Sequence, residues 1–121
     1  MIASHSSCGA LCDHPRNLTD AQLHAIRQNG GVVGITFVPA FVDRQRPSIE
    51  GVLDHIEHAM AVMGPAHVGL GSDFDGGGTV LRDATEFPLL TQGLLERGHS
   101  AEEIRLVLGE NLLHLLGQAR P

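Results

Sequence analysis

The chain has 121 residues, with 8 lysines and arginines, 14 aspartates and glutamates, 8 histidines and 42% apolar residues. This length fits one domain, and the composition is that of a folded globular chain rather than a disordered or collagen-like one. A formal net charge of −6 argues against a nucleic-acid partner, because phosphate binding needs a basic patch, and no apolar run reaches the ~20 residues that cross a bilayer.

The first third of the chain reads as a possible strand remnant, a helix and a buried strand. Residues 1–3 are suited to the end of an apolar strand. Thr19 and Gln22 have the spacing of a capping box, and Gly30-Gly31 end the helix that it opens. Residues 32–38 are mostly β-branched and apolar without alternation, which is typical of a strand buried on both faces of a parallel sheet.

The rest of the chain continues this alternation of helices and strands. A polar loop between Pro39 and Pro47 precedes a helix capped by Ser48. A second short apolar strand occupies residues 67–71 and leads into the glycine-rich segment 72–78. Three further helices are predicted to begin near Pro88, Ser100 and Leu112, the second of them ending near Gly109.

This order of elements predicts an α/β fold with parallel strands and right-handed crossovers. Only two clear strands are present, and two parallel strands cannot form a sheet that helices cover on both faces. A complete (β/α)8 barrel takes about 250 residues, so the chain is at most about half of one. We therefore expect a piece of a larger α/β domain.

Polar side chains follow the predicted strands. In α/β folds the reactive groups collect at the C-terminal ends of parallel strands. Ser4–Ser7 follows the strand remnant, Ser72–Gly76 follows the second strand, and Arg16 comes eleven residues after His5. A histidine can bind a metal, an arginine can grip a carboxylate through two parallel hydrogen bonds, and an aspartate such as Asp73 can move protons. Together these residues predict a hydrolytic site.

The glycine-rich segment does not match two better-known loops. Asp73-x-Asp75-Gly76 has the start of a calcium loop, but Ala84 stands where that loop needs a glutamate. No lysine follows the glycines at 76–78, so they do not form a phosphate-binding loop.

Cysteine and histidine groups elsewhere give weaker signals. Cys8 and Cys12 with His14 have nearly zinc-like spacing, but a second ligand pair is missing, so we interpret the cysteines as structural or incidental. His55 and His58 share one helical face, where we expect a solvated surface.

Several blocks of the sequence share the order and spacing of one known family. The most specific are Ser4-His5-Ser6-Ser7 and Gly71-Ser72-Asp73-Phe74-Asp75-Gly76. Further matching blocks are Cys12–Asp20, Gly30–Ile35, Asp54–Ile56, His67–Leu70, Leu95–Gly98 and Leu108–Leu113. Together they resemble the membrane (renal-type) dipeptidase family, and the resemblance covers nearly the whole chain.

The resemblance implies a (β/α)8 metallohydrolase that holds two zinc ions at the C-terminal mouth of its barrel and cleaves dipeptides through a metal-bridged water. His5 resembles a ligand of one zinc. Arg16 resembles the residue that binds the terminal carboxylate of the substrate. Asp73 resembles the acid/base that takes a proton from the water and passes it to the leaving amine, and we expect Asp75 to shape the loop beside it.

The sequence departs from the family pattern in its metal ligands. The pattern also needs a His-x-Asp pair, a bridging glutamate and a further histidine, all upstream of the Ser-His-Ser block. No His-x-Asp occurs in this sequence, so at most one recognised zinc ligand is present and a two-metal site cannot form in one copy. The resemblance therefore assigns residues 1–121 to the C-terminal part of a barrel, from the end of the sixth strand through the C-terminal helices.

Either the chain is a fragment, which we favour, or an accompanying chain supplies the rest of the barrel. We expect a dipeptide as substrate and no membrane contact from this segment. Because such a piece exposes strand edges and helix faces, it should need the remainder of the barrel or self-association. The location of the parent protein stays open.

Two alternatives remain open. The chain can be a non-catalytic α/β remnant, kept as an interaction module, which would bind no zinc tightly. It can also belong to another metal-dependent amidohydrolase on the same barrel, which would keep His5 and Asp73 but would not need Arg16.

Overall fold

The structure is a computed structural model, and it describes residues 1–119. Its strands and helices alternate along the chain. In order they are β1 (Ile2–Ser6), α1 (Asp20–Gln28), β2 (Val32–Ile35), α2 (Pro39–Val42), α3 (Ile49–Met63), β3 (Val68–Leu70), α4 (Phe87–Glu96), α5 (Ala101–Arg105) and α6 (Asn111–Gln118). Short 3-10 turns occupy Pro65–His67 and Ala84–Glu86, and a π-helical segment, Leu106–Glu110, joins α5 to α6.

The three strands form one parallel sheet in the order β1-β2-β3. This confirms the predicted α/β fold and adds a third strand, because the remnant predicted at residues 1–3 continues through Ser6. The backbone of Ser6 pairs with Ile35, and the Thr36 N–H donates to the Ser6 carbonyl oxygen at 3.2 Å. Backbone pairing of this kind does not depend on apolar side chains, so the polar Ser-His-Ser block is part of a strand rather than the loop after one.

Strand β2 lies at the centre of the sheet, and all four of its residues are buried. This confirms the prediction of a strand covered on both faces. Pairing continues beyond its end, since the Phe37 N–H donates to the Ser72 carbonyl oxygen. The core extends from Leu23 on α1 through Ile56 on α3 to Val107 in the π-helical segment.

The helix starts follow the predicted caps. Thr19 and Ser100 each open a capping box, and the Ser48 hydroxyl accepts from the Gly51 N–H. The polar loop predicted after Pro39 differs, since its first four residues form the one-turn helix α2. The end predicted near Gly109 also differs, because the chain only distorts there before continuing as α6.

Helix α6 is fastened to the start of β3 by one buried side chain. The Asn111 amide nitrogen donates to the Pro65 and Val68 carbonyl oxygens at 2.6 and 2.8 Å. Elsewhere on α6, the side chains of Leu113 and Leu116 are exposed. Within residues 1–119, no helix has the length and apolar character needed to span a membrane.

The backbones of the three strands converge near their C-terminal ends. A Cβ atom on Gly34 would stand 2.5 Å from the Ser4 carbonyl oxygen, and one on Gly71 would clash with the same oxygen. Gly71 follows β3, so the sheet curls until β1 approaches it although β2 lies between them. A shift in the β1–β2 register between Ala3 and Ser6 accompanies the curl. Both positions require glycine because of this close approach.

Candidate active site

His5 and Arg16 are in direct contact at the C-terminal end of the sheet. An Arg16 Nη2 atom lies 3.3 Å from Nε2 of His5, and the Ser4 hydroxyl lies 2.7 Å from its Nδ1. A guanidinium carries only donors, so Nε2 of His5 accepts this hydrogen bond. The ring proton is then on Nδ1, where Ser4 accepts it. The contacts with Ser4 and Arg16 thus favour the His5 tautomer that has its proton on Nδ1 and a lone pair on Nε2.

Arg16 is supported by two aromatic rings. Its guanidinium carbon lies 5.7 Å from the centroid of the Phe41 ring, and the centroid of the His14 ring lies 4.4 Å from that of Phe41 at a tilt of 40°. The backbone N–H of Arg16 also donates to Nδ1 of His14 at 3.1 Å. Because a cation is attracted to the face of an aromatic ring, Phe41 gives the exposed guanidinium a preferred place.

Asn17 fastens the loop that carries Arg16. It is buried, and its side chain makes three hydrogen bonds to backbone groups. The Oδ1 atom accepts from the Ser7 N–H at 3.2 Å, and Nδ2 donates to the Cys12 and Phe41 carbonyl oxygens at 2.9 and 2.8 Å. In the sequence, Asn17 belongs to a block that matches the family but has no predicted role. A buried asparagine beside an exposed arginine becomes visible only once the loop has folded.

His55 corrects the prediction of a solvated histidine face on α3. Its side chain is only 1% exposed. Nδ1 accepts from the Cys8 N–H at 3.0 Å, and Nε2 donates to the Val42 carbonyl oxygen at 2.9 Å. Burial lowers the pKa of His55, so the ring is held neutral. The sequence carried no clear signal of this burial, because the partners of His55 at Cys8 and Val42 are distant along the chain.

The neighbouring groups have structural contacts. His58 remains partly exposed and pairs with Asp20 at 2.7 Å. Both cysteines are buried, with the Cys8 thiol 3.4 Å from the His55 carbonyl oxygen. Burial raises the pKa of Cys8 to about 12, so its thiol is a poor nucleophile at neutral pH.

Asp73 follows β3 in a strained backbone conformation. Its φ is 59°, and among residues 1–119 it is the one residue other than glycine with a positive φ. The turn is closed by the Gly76 N–H, which donates to the Asp73 carbonyl oxygen at 3.0 Å. A Cβ atom on Gly76 would stand 2.8 Å from both carboxylate oxygens of Asp73. Strain of this kind persists where the surroundings hold a side chain in one place.

An aromatic cluster anchors the segment that begins at Asp73. The ring of Phe74 lies 5.7 Å from that of Phe37 and 5.9 Å from that of Phe87, centroid to centroid. Phe37 is fully buried just beyond β2. The cluster therefore ties the Asp73 turn to the centre of the sheet.

The structure brings two of the three predicted site residues into contact and the third to the same edge. Ser6, Ile35 and Leu70 form one row across the sheet. His5 lies just before this row, and Asp73 lies three residues beyond it. Within the described part of the chain, no hydrogen bond joins Asp73 to His5 or to Arg16.

The same residues do not form a complete metal site. Within residues 1–119, no group of three or more histidine, cysteine, aspartate or glutamate side chains is arranged to hold a metal ion. His5 offers a single imidazole at this edge, with its Nε2 lone pair directed at Arg16. A tetrahedral zinc centre needs three or four ligands.

The proteins that are similar in sequence to this chain point to one family. The family model described as membrane dipeptidase, peptidase family M19, matches residues 1–120. Dipeptidase verJ of Clonostachys rogersoniana is 43% identical over 119 residues, which are 96% of this chain and 31% of that protein. Dipeptidase aclJ of Aspergillus oryzae is 42% identical over 97% of this chain and 29% of its own length.

Solved structures agree with these relatives. A metallopeptidase from Rhodobacter sphaeroides, liganded with a phosphinate mimic of the dipeptide L-Ala-D-Ala, is 35% identical and superposes with a TM-score of 0.90. The match covers 98% of this chain and 36% of that one. The chain spans about a third of the length of these curated relatives and of this structure. The extent of the match, in sequence and in fold, confirms the resemblance: the chain belongs to the membrane dipeptidase family, peptidase family M19.

Proposed function

We propose that the chain is the C-terminal part of a zinc-dependent dipeptidase with a (β/α)8 barrel, from the end of the sixth strand through the C-terminal helices. The observation that carries the proposal is the contact between His5 and Arg16 at the edge of the sheet where Asp73 also lies. The inward curl of the sheet and the greater length of the relatives support a barrel. A dipeptide substrate is supported by the ligand of the Rhodobacter sphaeroides structure.

Arg16 is proposed to bind the terminal carboxylate of the substrate. Its guanidinium is exposed above the Phe41 ring, and its planar fork can donate two parallel hydrogen bonds to a carboxylate. Binding there would orient the dipeptide with its peptide bond toward the sheet edge, where the proton-transferring group stands.

Asp73 is proposed to be the acid/base. A carboxylate can take a proton from the attacking water and return it to the leaving amine. The turn that Gly76 closes holds the carboxylate at one place over the sheet edge. Such positioning lowers the entropic part of the activation barrier, because the carboxylate is already oriented for proton transfer.

His5 is proposed to give one ligand to the metal centre. When bound, zinc would supply a water nucleophile at neutral pH. Because residues 1–119 do not form a complete metal site, the other ligands must come from the remainder of the barrel, from an accompanying chain or from a second copy.

An apolar groove between β1 and α6 supports the view that additional protein packs against this chain. The groove has a volume of about 550 Å³ and is lined mostly by apolar side chains. They include Met1, Ile2, Leu112, Leu115 and Leu116. Exposed grooves of this kind mark surfaces that are covered in the assembled protein.

The test is hydrolysis of a simple L,L-dipeptide by the purified chain with added zinc, alongside its Asp73→Asn variant. Loss of the acid/base should lower kcat by about 10²- to 10⁴-fold. Asp83→Asn is the matched control, because Asp83 is exposed and an asparagine oxygen can still accept from Thr85. Turnover that survives in Asp73→Asn would reject the assigned role.

A second substrate tests Arg16. The C-terminal amide of the same dipeptide lacks the charge that Arg16 would bind, so its kcat/KM should be well below that of the free acid. Equal values for the two substrates would contradict the role of Arg16. If a folded chain cleaves neither substrate, the proposal then rests on the longer parent protein alone.

A further inference from the structure

Two buried side chains bridge the same pair of segments side by side. Asn17 links the Ser7 N–H to the Phe41 carbonyl oxygen, and His55 links the Cys8 N–H to the Val42 carbonyl oxygen. The donors are consecutive residues just beyond β1. The acceptors are the last two residues of α2. We call these contacts the double bridge.

Helix α2 depends on the double bridge for its position. It has four residues, and its N-cap residue Val38 makes no side-chain cap hydrogen bond. A single turn is not stable by itself, and the last carbonyl groups of a helix lack partners within it. Asn17 and His55 supply partners to two of these carbonyls. They therefore fix where α2 stands relative to the end of β1.

Helix α2 in turn carries the ring beneath Arg16. Phe41 contacts both the Arg16 guanidinium and the His14 ring. Any movement of α2 would move Phe41, and Arg16 would lose its preferred place. Chain connectivity alone cannot fix this place, because an exposed arginine has many rotamers of similar energy.

We propose that Phe41, Asn17 and His55 are positioning residues that set where the Arg16 guanidinium meets the carboxylate of the substrate. This inference rests on the proposed function of Arg16. It assigns Phe41 the direct contact, and it assigns Asn17 and His55 the task of holding α2 so that Phe41 stays under the guanidinium.

The first readout does not need enzyme activity. In the ¹⁵N-labelled full chain, the Arg16 side-chain N–H resonance should be shifted by the Phe41 ring and should show a nuclear Overhauser contact to it. Phe41→Leu should abolish the ring-induced shift and the nuclear Overhauser contact, and Phe41→Tyr should retain both. Phe87→Leu is the matched control, because it removes an aromatic ring from the cluster beside Asp73 and leaves Arg16 untouched.

His55→Gln tests the double bridge. Glutamine cannot replace both ring nitrogens of His55, so we expect the Arg16 signals to weaken in the folded protein. His67→Gln is the control, because His67 bonds the Gly31 carbonyl oxygen at the other end of the sheet. Any loss of stability there should leave the Arg16 signals unchanged. If His55→Gln does not fold, Phe41→Leu and Phe41→Tyr still decide the role of Phe41.

The second readout is kinetic. In Phe41→Leu, KM for a dipeptide with a free carboxylate should rise about two- to fivefold, the range of an exposed cation–π contact, while kcat stays within about twofold. KM for the C-terminal amide should not change. An Arg16 resonance at the same position in Phe41→Leu as in the unsubstituted chain would overturn the inference. Absence of hydrolysis by every variant would count against activity of this chain by itself and not against the inference, because the resonance is measured without substrate.

Discussion

Gly71 shows how one absent side chain shapes the candidate site. Its Cα stands so close to the Ser4 carbonyl oxygen that a Cβ atom would clash. We predict that Gly71→Ala lowers the free energy of unfolding by about 1–3 kcal/mol, the usual cost of overpacking. Urea unfolding followed by circular dichroism measures the change.

Gly117→Ala is the control for this substitution. A Cβ atom on Gly117 meets no neighbour within 4 Å, and the residue is exposed in α6. Alanine there should raise stability by up to about 1 kcal/mol, because glycine is a poor helix former. Equal effects of the two substitutions would show that the strands do not touch at Gly71.

At the level of residues, the candidate site combines a contact within one short segment with contacts between distant segments. His5 and Arg16 lie eleven residues apart in one loop-containing segment, so the sequence placed them near each other but did not predict their contact. The role of His55 was not predictable in the same way. Its partners at Cys8 and Val42 are distant in sequence, and only the packing of α2 over α3 buries the ring.

At the level of elements, a charge network joins α3 to the ends of α4 and α5. Arg97 donates to Asp54 at 2.8 Å and to Glu50 at 2.9 Å. His99 places its two ring nitrogens 2.9 Å from Glu57 and 3.1 Å from Glu103. These hydrogen bonds, chiefly the one to Glu57, raise the pKa of His99 above its ordinary value.

The network predicts a pH-dependent contribution to stability. A raised folded-state pKa means that His99 stabilises the native state fully below its unfolded-state pKa, and that this stability is lost as pH rises through the folded value. The cost of His99→Gln should therefore be larger near about pH 5 than near about pH 8. Unfolding free energies at the two pH values measure it.

His55→Gln should show the opposite trend. Burial lowers the pKa of His55, so its contribution is present above its unfolded-state pKa and is lost as pH falls. The cost of this substitution should shrink toward low pH. Two variants with the same pH trend would contradict the assigned environment of one of the two histidines.

The fold was predictable where side-chain pattern and backbone agree. Strands β2 and β3 are unbroken apolar runs, and the capping residues Thr19 and Ser100 start their helices as expected. Strand β1 was only partly predicted, because its later residues are polar and its order comes from pairing with β2. Helix α2 was missed because side chains distant in sequence hold its carbonyl groups.

At the level of the whole molecule, the groove between β1 and α6 predicts self-association of the isolated chain. Leu116 lines this groove and is 57% exposed. Burying one leucine contributes about 1.5–3 kcal/mol, so Leu116→Lys should weaken association about tenfold or more. Sedimentation equilibrium over a range of concentrations measures it.

Leu95→Lys is the control for this surface. Leu95 is 54% exposed, nearly as much as Leu116, but it lies on α4 and does not line the groove. Its substitution should leave the association constant unchanged. Equal weakening by both lysines would mean that association is not localised to the groove.

The close backbone contact of Ser4, Gly34 and Gly71 also limits how far the strands that carry the candidate site can move relative to each other. His5 follows Ser4 directly, and Asp73 comes two residues after Gly71. Between them stand peptide groups in van der Waals contact, which resist compression far more than a rotatable side chain does. The three strands thus meet at a point where their backbones cannot move closer together. Movement of the surrounding helices should therefore leave the distance between the backbones of His5 and Asp73 nearly unchanged.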